Sequence, residues 1–295
     1  MLKIGLIDFY FNNWHTDHYP EYMKLAAQRY HREIAVTDAW AMREAPAGAM
    51  SNQEWCAHMG IRLADSEQKL IDRVDAIMVM GADDCREHEM LAQGALKSGK
   101  PVYCDKTFAP DLASAQRMFR LAEAHGTPVF TCSAQRYVME LQAWRCLHNG
   151  QNARYCATQG PGDLANYSIH QFEMVEYLMG TGAKECMAFE AGGVQRWVYR
   201  YEDGRTAEVT QGPGLPFRMS AADGENGRDI AVTDYYMALM HALCEFFAGA
   251  PAPVAREDTL EIMAMQQTAR EALKKPWQWV SVADWKTKEM QGESK

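Results

Sequence analysis

Three features are scarce in this 295-residue sequence: clustered positive charge, closely spaced cysteines and long apolar runs. Lys and Arg number 30 against 39 Asp and Glu, which gives a formal net charge of −9. Since no segment carries the basic cluster that neutralises phosphates, we expect no nucleic-acid partner. The opening MLKIGLIDFYF resembles no secretory signal and is too short to span a bilayer, so we expect no membrane partner and a cytoplasmic location.

The eight cysteines are scattered along the chain and form no C-x-x-C pair. No histidine lies near them at a zinc-ligand spacing. We therefore expect reduced cysteines that mostly belong to the core, and we predict no metal site.

Apolar segments that alternate with amphipathic ones dominate the first part of the chain. This pattern predicts right-handed βαβ crossovers and a parallel sheet. The predicted strands cover residues 3–8, 33–37, 75–80, 101–104 and 128–132, and the predicted helices cover 19–30, 52–60, 87–98 and 112–125. The length of the chain favours two domains, of which we predict the first, residues 1–133, to be a Rossmann-type dinucleotide-binding domain.

After Arg136 the pattern changes to that of an α+β domain. Helices are predicted over residues 138–148, 169–179, 234–247 and 258–273, with a Gly/Pro-rich loop at 160–162. Residues 185–220 alternate polar and apolar side chains around Asp203-Gly204, a pair typical of a hairpin turn. Residues 134–295 are therefore predicted to form a substrate-binding and oligomerisation domain with a largely antiparallel sheet, whose amphipathic character favours a homodimer or homotetramer.

Two stretches carry a resemblance to a known family. VDAIMVMGADDCREHEMLAQGALKSGKPVYCDKTFAPD contains a strand, a His-x-x-x-Ala-x-x-Ala-Leu helix beginning at His88, a Gly-Lys turn and the tripeptide Asp105-Lys106-Thr107. NYSIHQFEMVEYLMG places His170 at the start of a helix that ends in Leu-x-Gly. The chain resembles the glucose-fructose oxidoreductase / inositol dehydrogenase family (Gfo/Idh/MocA), in which the tripeptide is Glu-Lys-Pro and the histidine follows an Asp by four positions.

The resemblance implies an NAD(P)-dependent oxidoreductase acting on a sugar, a polyol or a related hydroxy compound. Lys106 and His170 would then be the catalytic residues, although a surface lysine and a capping or core histidine are the plainer interpretations. The substrate-binding residues it suggests are Arg136, Tyr137, Asn166 and Glu173.

These four residues have different expected roles. Asn166 stands where the family has the carboxylate that partners its histidine, and Glu173, one helical turn after His170, could supply that carboxylate. Arg136 and Tyr137 either border the substrate, which we expect to be carbohydrate-like, or form an interdomain salt bridge.

The cofactor implied by the resemblance is NAD, with NADP less favoured. Asp38, predicted at the end of the second strand, would bind the adenosine ribose, or would simply begin a turn. The expected cofactor-binding residues are Asp8, Phe9, Tyr10, Asn13, Asp38 and Lys106.

The first turn lacks the G-x-G-x-x-G fingerprint of dinucleotide-binding proteins. Asp8, Tyr10 and Asn13 occupy the nearest glycine-equivalent positions, where we expect their side chains to crowd and repel a pyrophosphate. The neighbouring aromatic and imidazole side chains either plug the groove or stack on a ligand; they are Tyr10, Phe11, Trp14, His15 and His18.

Two alternatives to the dehydrogenase therefore stay open. One is a cofactor-free or non-catalytic protein that binds a ligand or regulates. The other is an NAD-dependent lyase, hydrolase or epimerase that oxidises its substrate only transiently.

Overall fold

The computed structural model describes residues 1–81, 84–283 and 285. The chain forms two compact units. Unit 1 comprises Met1–Cys132 together with Tyr236–Ala255, and unit 2 comprises Ser133–Tyr235 together with the chain from Arg256 onward. The division expected after residue 133 does not foresee that the chain returns to unit 1 with residues 236–255.

The strands in chain order are β1 (Leu2–Asp8), β2 (Ile34–Ala41), β3 (Arg62–Leu63), β4 (Ala76–Val79), β5 (Val102–Cys104), β6 (Val129–Thr131), β7 (Tyr155–Gly160), β8 (Ala183–Ala191), β9 (Val194–Tyr201), β10 (Thr206–Gln211), β11 (Arg218–Ala222), β12 (Gly227–Ile230) and β13 (Trp279–Ser281). The helices are α1 (Trp14–Arg29), α2 (Asn52–Met59), α3 (Glu67–Arg73), α4 (His88–Leu91), α5 (Gln93–Leu96), α6 (Leu112–Ala124), α7 (Met139–Leu147), α8 (Ser168–Met179), α9 (Tyr236–Phe247) and α10 (Arg256–Leu273).

Unit 1 is built on a parallel sheet with the strand order β3-β2-β1-β4-β5-β6. Its central strands are continuous apolar runs, because helices cover both faces of a parallel sheet; Ile4, Ile7 and Ile77 are fully buried. The strand order reverses beside β1, and open α/β sheets bind ligands at the carboxyl ends of the strands at such a point. The predicted Rossmann-type parallel sheet with helices is confirmed.

Four helices of unit 1, namely α1, α2, α3 and α6, begin at side-chain caps. Ser51 accepts a hydrogen bond from the Glu54 amide at the start of α2, which ends at Gly60 in the left-handed conformation, as its glycine predicts. Helix α1 begins at Trp14, five residues earlier than predicted, because Asn13 caps it. The single helix predicted over 87–98 is instead a 3-10 turn followed by the short helices α4 and α5.

Unit 2 contains a sheet with the order β12-β11-β7-β10-β9-β8-β13. Every neighbouring pair is antiparallel except β7 and β10, so the predicted largely antiparallel sheet is confirmed. The predicted hairpin connects β9 to β10 through Gly204, whose φ of 83° requires glycine. The loop expected at 160–162 begins one residue later, since Gly160 ends β7.

One face of this sheet packs against α8 and α10. Trp197 and Tyr199 of β9 are fully buried there and donate hydrogen bonds to the carbonyls of Ala269 (3.0 Å) and Met265 (2.9 Å). These bonds satisfy the polar atoms of two large core side chains, so α10 is fixed in register against the sheet.

Candidate functional site

The carboxyl group of Asp8 ends β1 and lies inside the first turn, with no exposed surface. It accepts hydrogen bonds from the Phe9 amide (2.6 Å) and from the Asn13 side chain (3.1 Å). Burial raises the pKa of Asp8 to about 7, although these two hydrogen bonds lower it. The expectation that Asp8 faces and repels a ligand is therefore wrong, since its carboxyl group holds the turn together from within.

Asn13 closes the turn and caps α1. Its side-chain oxygen accepts from the amides of His15 and Thr16, both at 3.1 Å, and its amino group also donates to the Tyr10 carbonyl at 3.0 Å. The Thr16 hydroxyl completes a capping box by accepting from the Asn13 amide. The amides of the first helical turn, which bind phosphate in fingerprint turns, are thus already bonded by this side chain.

Groups in the rest of the turn are also bonded to, or packed against, other residues of the protein. The Phe11 amide donates to the Asn52 side chain at 3.0 Å, and the Phe11 ring is fully buried and stacked on Trp55 at 4.5 Å. Phe9 is also buried, whereas Tyr10 is half-buried. The turn therefore does not fit a pyrophosphate held by backbone amides in the manner of a glycine fingerprint.

His15, on the first turn of α1, forms an ion pair with Asp105, the residue after β5. Asp105 is fully buried and also accepts hydrogen bonds from the hydroxyls of Tyr19 (3.3 Å) and Tyr103 (2.9 Å). Burial by itself raises the pKa of Asp105, but the charges of His15 and Lys106 and the hydrogen bond from His15 lower it to about 2. The sequence did not single out this pair, whose members lie far apart along the chain.

Lys106 is half-buried and follows Asp105 at the carboxyl end of β5. The peptide bond between Lys106 and Thr107 is cis. Lys106 therefore lies at the edge where open α/β sheets bind their ligands, as the sequence predicts.

Asp38 does not lie at the end of its strand, so that prediction is wrong. Strand β2 runs three residues further, to Ala41, and Asp38 is 3% exposed inside it, paired with Gly5 and Arg62. The second residue past the end of β2 is the exposed Arg43, whose amide donates to the Phe9 carbonyl at 2.7 Å. Its guanidinium pairs with Glu87.

His88, the first residue of the His-x-x-x-Ala-x-x-Ala-Leu motif, is a structural residue. Its ring is buried against Gly81, and its Nδ1 lies 3.3 Å from the Phe108 carbonyl. Burial lowers the pKa of His88, since it disfavours the charged form of the ring.

In unit 2, His170 lies half-buried on the first turn of α8. Its Nδ1 is 2.6 Å from the hydroxyl of the fully buried Ser133, which in turn accepts from the Gln135 amide at 3.1 Å. Asn166 is exposed, and its amide donates to the Asp163 side chain. Ser133 is thus bonded to the His170 ring, whereas the Asn166 amide is bonded to Asp163.

Glu173 and Arg136 belong to a buried charged cluster inside unit 2. Arg136 contacts the carboxylates of Glu173 (3.2 Å), Glu176 (2.6 Å) and Asp258 (3.3 Å). Glu173 also accepts from the Ser133 amide at 3.1 Å, and burial raises its pKa to about 7 although Arg136 lowers it. The salt bridges of Arg136 are therefore internal to unit 2, and Glu173 bonds to the backbone of the serine that contacts His170. Tyr137, which follows Arg136 in the sequence, is half-buried.

Over the described residues, no group of three or more His, Cys, Asp or Glu side chains could hold a metal ion. Within the same part of the chain, no helix combines the length and the apolar character needed to cross a membrane.

Comparison with known proteins gives one match in sequence and many in structure. Residues 17–132 match the model of an oxidoreductase family with an NAD-binding Rossmann fold, and the match begins just after the turn that lacks glycines. Comparison with curated protein sequences gives no significant match.

Solved structures with a similar fold include three oxidoreductases. An NAD-binding oxidoreductase from Klebsiella pneumoniae is 15% identical with a TM-score of 0.77, and the alignment covers 96% of this chain and 99% of that one. Scyllo-inositol dehydrogenase from Lactobacillus casei, with bound NAD(H) and scyllo-inositol, is 13% identical with a TM-score of 0.75 and coverages of 96% and 99%. UDP-N-acetylglucosamine 3-dehydrogenase from Acidithiobacillus ferrooxidans is 15% identical with a TM-score of 0.73 and coverages of 94% and 99%.

At these identities the structural likeness shows a shared fold, and the match in sequence is confined to residues 17–132. Residues 17–132 are thus similar to an oxidoreductase family with an NAD-binding Rossmann fold, and the chain as a whole shares the fold of these solved oxidoreductases.

Proposed function

We propose that the protein is an NAD(P)-dependent oxidoreductase that acts on a sugar, a polyol or a related hydroxy compound. The observation that carries this proposal is the position of Lys106, directly after β5 at the carboxyl edge of a sheet with the order 3-2-1-4-5-6. When bound, the cofactor supplies the redox chemistry, and the side chains of the protein handle the protons.

Lys106 is suited to hold and deprotonate a hydroxyl group. Lys106 is half-buried and directly follows the fully buried Asp105 at the end of β5. In unit 2, His170 is the candidate for a group that takes up or releases a proton. The Ser133 hydroxyl can either donate a hydrogen bond to its Nδ1 or accept one from it, so both neutral tautomers of the ring are possible.

The cofactor phosphates would have to bind at groups other than the amides of the first turn, because Asn13 and Asp8 already occupy these. Asp38 gives no reason to favour NAD over NADP, since it lies inside β2. The cofactor is therefore proposed as NAD(P), without a preference.

The first experiment is calorimetric titration of the purified protein with NAD⁺, NADH, NADP⁺ and NADPH, followed by a screen of polyols and sugars that includes scyllo-inositol, myo-inositol and UDP-N-acetylglucosamine. Lys106→Met should lower kcat by at least about 100-fold, as expected for loss of an acid-base group. The exposed Lys97→Met, on the same unit, should leave kcat unchanged. Product analysis separates net oxidation from elimination, hydrolysis or epimerisation through a transient ketone.

A second candidate function is a cofactor-free protein that binds a small ligand. The first turn favours this function, because its backbone amides already donate hydrogen bonds to side chains of the protein. These are the amides of Phe9, Phe11, His15 and Thr16. Absence of binding by all four nucleotides would contradict the oxidoreductase and support this second function.

A further inference from the structure

Two aromatic side chains, Tyr167 and Phe217, flank the imidazole ring of His170 in unit 2. Tyr167 directly precedes α8 and lies edge-to-face with the imidazole at a centroid distance of 6.0 Å. Phe217 directly precedes β11 and lies edge-to-face with it at 5.6 Å. These two residues, the aromatic pair, therefore border the histidine from two different segments of the chain.

The loop after β7 is shaped to receive both rings of the aromatic pair. Gly160 is the last residue of β7, and a Cβ atom there would lie 2.7 Å from a carbon of the Phe217 ring. A Cβ atom at Gly162 would lie equally close, 2.7 Å, to the Tyr167 ring. The φ of 81° at Gly162 favours glycine by itself, but Gly160 has no positive φ. Its missing side chain therefore serves the close approach of Phe217.

The backbone beside each ring is held by hydrogen bonds. Ser168, the residue after the tyrosine, is fully buried and donates to the Leu164 carbonyl at 2.6 Å. The carbonyl of Pro216, the residue before the phenylalanine, accepts from the Gln159 side chain at 3.2 Å. The rings thus have a defined position before a ligand arrives, which reduces the conformational entropy that binding costs.

Core packing accounts for only part of this arrangement, because 47% of Tyr167 is exposed. A tyrosine joins a flat apolar face to a polar tip, so it can pack against the C–H face of a ring compound whose hydroxyl groups lie at the rim. Polar side chains stand beside it in the chain, namely the half-buried His170 and the exposed Asn166. An aromatic surface bordered by a few polar groups is the composition typical of a small-molecule site.

We propose that the aromatic pair is the surface of unit 2 that holds the ring of a cyclic substrate, whose C–H face packs on Tyr167. The inference rests on the proposed function for its substrate class, a hydroxy compound. The pair makes and breaks no bond, and its role is binding and selectivity. It favours a ring compound over an open chain of the same size, because the open chain has no rigid C–H face and loses more conformational freedom when it lies against the protein.

Scyllo-inositol and sorbitol are matched probes of this selectivity, because both carry one hydroxyl group on each of their carbons and only the first is a ring. The substrate screen should find kcat/KM at least about tenfold higher for ring compounds than for their open-chain counterparts, the effect of one well-packed aromatic contact. Turnover of open-chain polyols alone, or equal turnover of both classes, overturns the proposal.

Tyr167→Ala is the decisive variant. It should raise KM for the cyclic substrate about tenfold and change kcat by less than about threefold, since the contact is equally strong in the ground state and the transition state. Tyr167→Phe keeps the ring and should leave KM within about twofold of the wild type. The control is Trp277→Leu, which removes a 65% exposed aromatic residue of the same unit that stacks on Phe189 at 4.1 Å, and it should change neither constant. A Tyr167→Ala enzyme with an unchanged KM contradicts the proposal.

A binding measurement distinguishes failure of this inference from failure of the proposed function. The full-length protein with carbon-13-labelled tyrosine rings is titrated with scyllo-inositol, methyl β-glucopyranoside and sorbitol, with and without NADH, and followed by NMR. The Tyr167 signal, assigned by its loss in Tyr167→Phe, should shift with the two ring compounds and not with sorbitol. If the screen finds no turnover, the proposed function fails, and this shift still supports a ring-binding surface. No shift with either ring compound, or with a cyclic substrate found in the screen, overturns the inference.

Discussion

The hydroxyl of Ser133 lies 2.6 Å from Nδ1 of His170 and joins a 3-10 turn to the first turn of α8. The hydroxyl accepts a hydrogen bond from the Gln135 amide at the same time, so its position does not depend on the histidine. The serine therefore fixes the plane of the ring while leaving its tautomer adjustable.

Ser133→Ala should lower kcat/KM by about 2- to 10-fold, the effect of one lost hydrogen bond that orients the ring. The control is Ser168→Ala, a buried serine of α8 whose hydroxyl donates to the Leu164 carbonyl. Both variants should lose a similar amount of thermal stability. Equal losses of activity in the two would mean that Ser133 acts only through stability.

The parts of the fold that the sequence predicts are those that depend on local patterns. The parallel strands are visible as apolar runs, Gly60 marks the end of α2, and Asp203-Gly204 marks the hairpin between the antiparallel strands β9 and β10. The start of α1 could not be predicted, because WHTDHYP has no apolar period and its capping box uses Thr16 where Glu is usual.

The site is less predictable because its contacts join distant residues. Lys106 was identified through its tripeptide, but no spacing shows that Asp105 pairs with His15 or that His170 bonds to Ser133, 37 residues away. The error at Asp38 arises from the end of β2, where DAWA continues the strand although Asp is common in turns.

Glu173 makes the stability of unit 2 depend on pH. Its pKa is raised from 4.5 to about 7 in the fold, so the folded state binds more protons than the unfolded state between these values. Its contribution to the free energy of unfolding is therefore complete below pH 4.5 and is lost as the pH rises through about 7.

Glu173→Gln removes this dependence, because glutamine resembles the neutral acid. Between about pH 5 and pH 8, the difference in stability should shift in favour of the variant by about 1 to 3 kcal/mol. Denaturant unfolding at several pH values measures the shift, with the exposed Glu140→Gln as the control. A constant difference across this range contradicts the raised pKa.

Asn13 should contribute more to stability than an ordinary helix cap. Ser51 caps α2 through a capping box of the same kind, and replacing such a residue by alanine costs about 1 kcal/mol. Asn13 also donates to the buried Asp8 carboxyl and to the Tyr10 carbonyl, and both acceptors lose this donor in Asn13→Ala.

We expect Asn13→Ala to lower the free energy of unfolding by at least about 1 kcal/mol more than Ser51→Ala, because a buried acceptor loses its partner. The loss should increase with pH, since the hydrogen bond from Asn13 lowers the pKa of Asp8. Urea titration of both variants at two pH values tests this. Equal losses would mean that the bonds to Asp8 and Tyr10 contribute little.

Gly81 is required by its contact with His88. A Cβ atom at this position would lie 1.8 Å from Nε2 of His88, and the φ of 69° also disfavours side chains. Gly60 has a similar φ of 66° but open space around it, so Gly60→Ala measures the conformational cost alone. Gly81→Ala should cost at least about 2 kcal/mol more than Gly60→Ala in thermal unfolding. Similar costs would show that the His88 ring moves aside freely.

The choice between NAD and NADP should depend on Arg43 and not on Asp38. Arg43 stands past the end of β2, where an arginine can bind the 2′-phosphate of NADP, and its pairing with Glu87 holds the guanidinium at this edge. Asp38 lies inside the strand, where Thr37 donates a hydrogen bond to it at 2.9 Å and the guanidinium groups of Arg62 and Arg73 stand 3.8 Å away.

Arg43→Ala should therefore weaken NADP⁺ binding by about tenfold, which corresponds to about 1.4 kcal/mol, and should change NAD⁺ binding by less than twofold. Asp38→Asn should change neither affinity by more than about twofold, because its carboxylate is enclosed by protein groups. Calorimetric titration of the two variants with both nucleotides makes the comparison, and circular dichroism checks that each is folded. A selective loss of NAD⁺ affinity in Asp38→Asn would assign the ribose to Asp38 after all, since a carboxylate that accepts a hydrogen bond from the ribose 2′-hydroxyl favours NAD⁺ over NADP⁺.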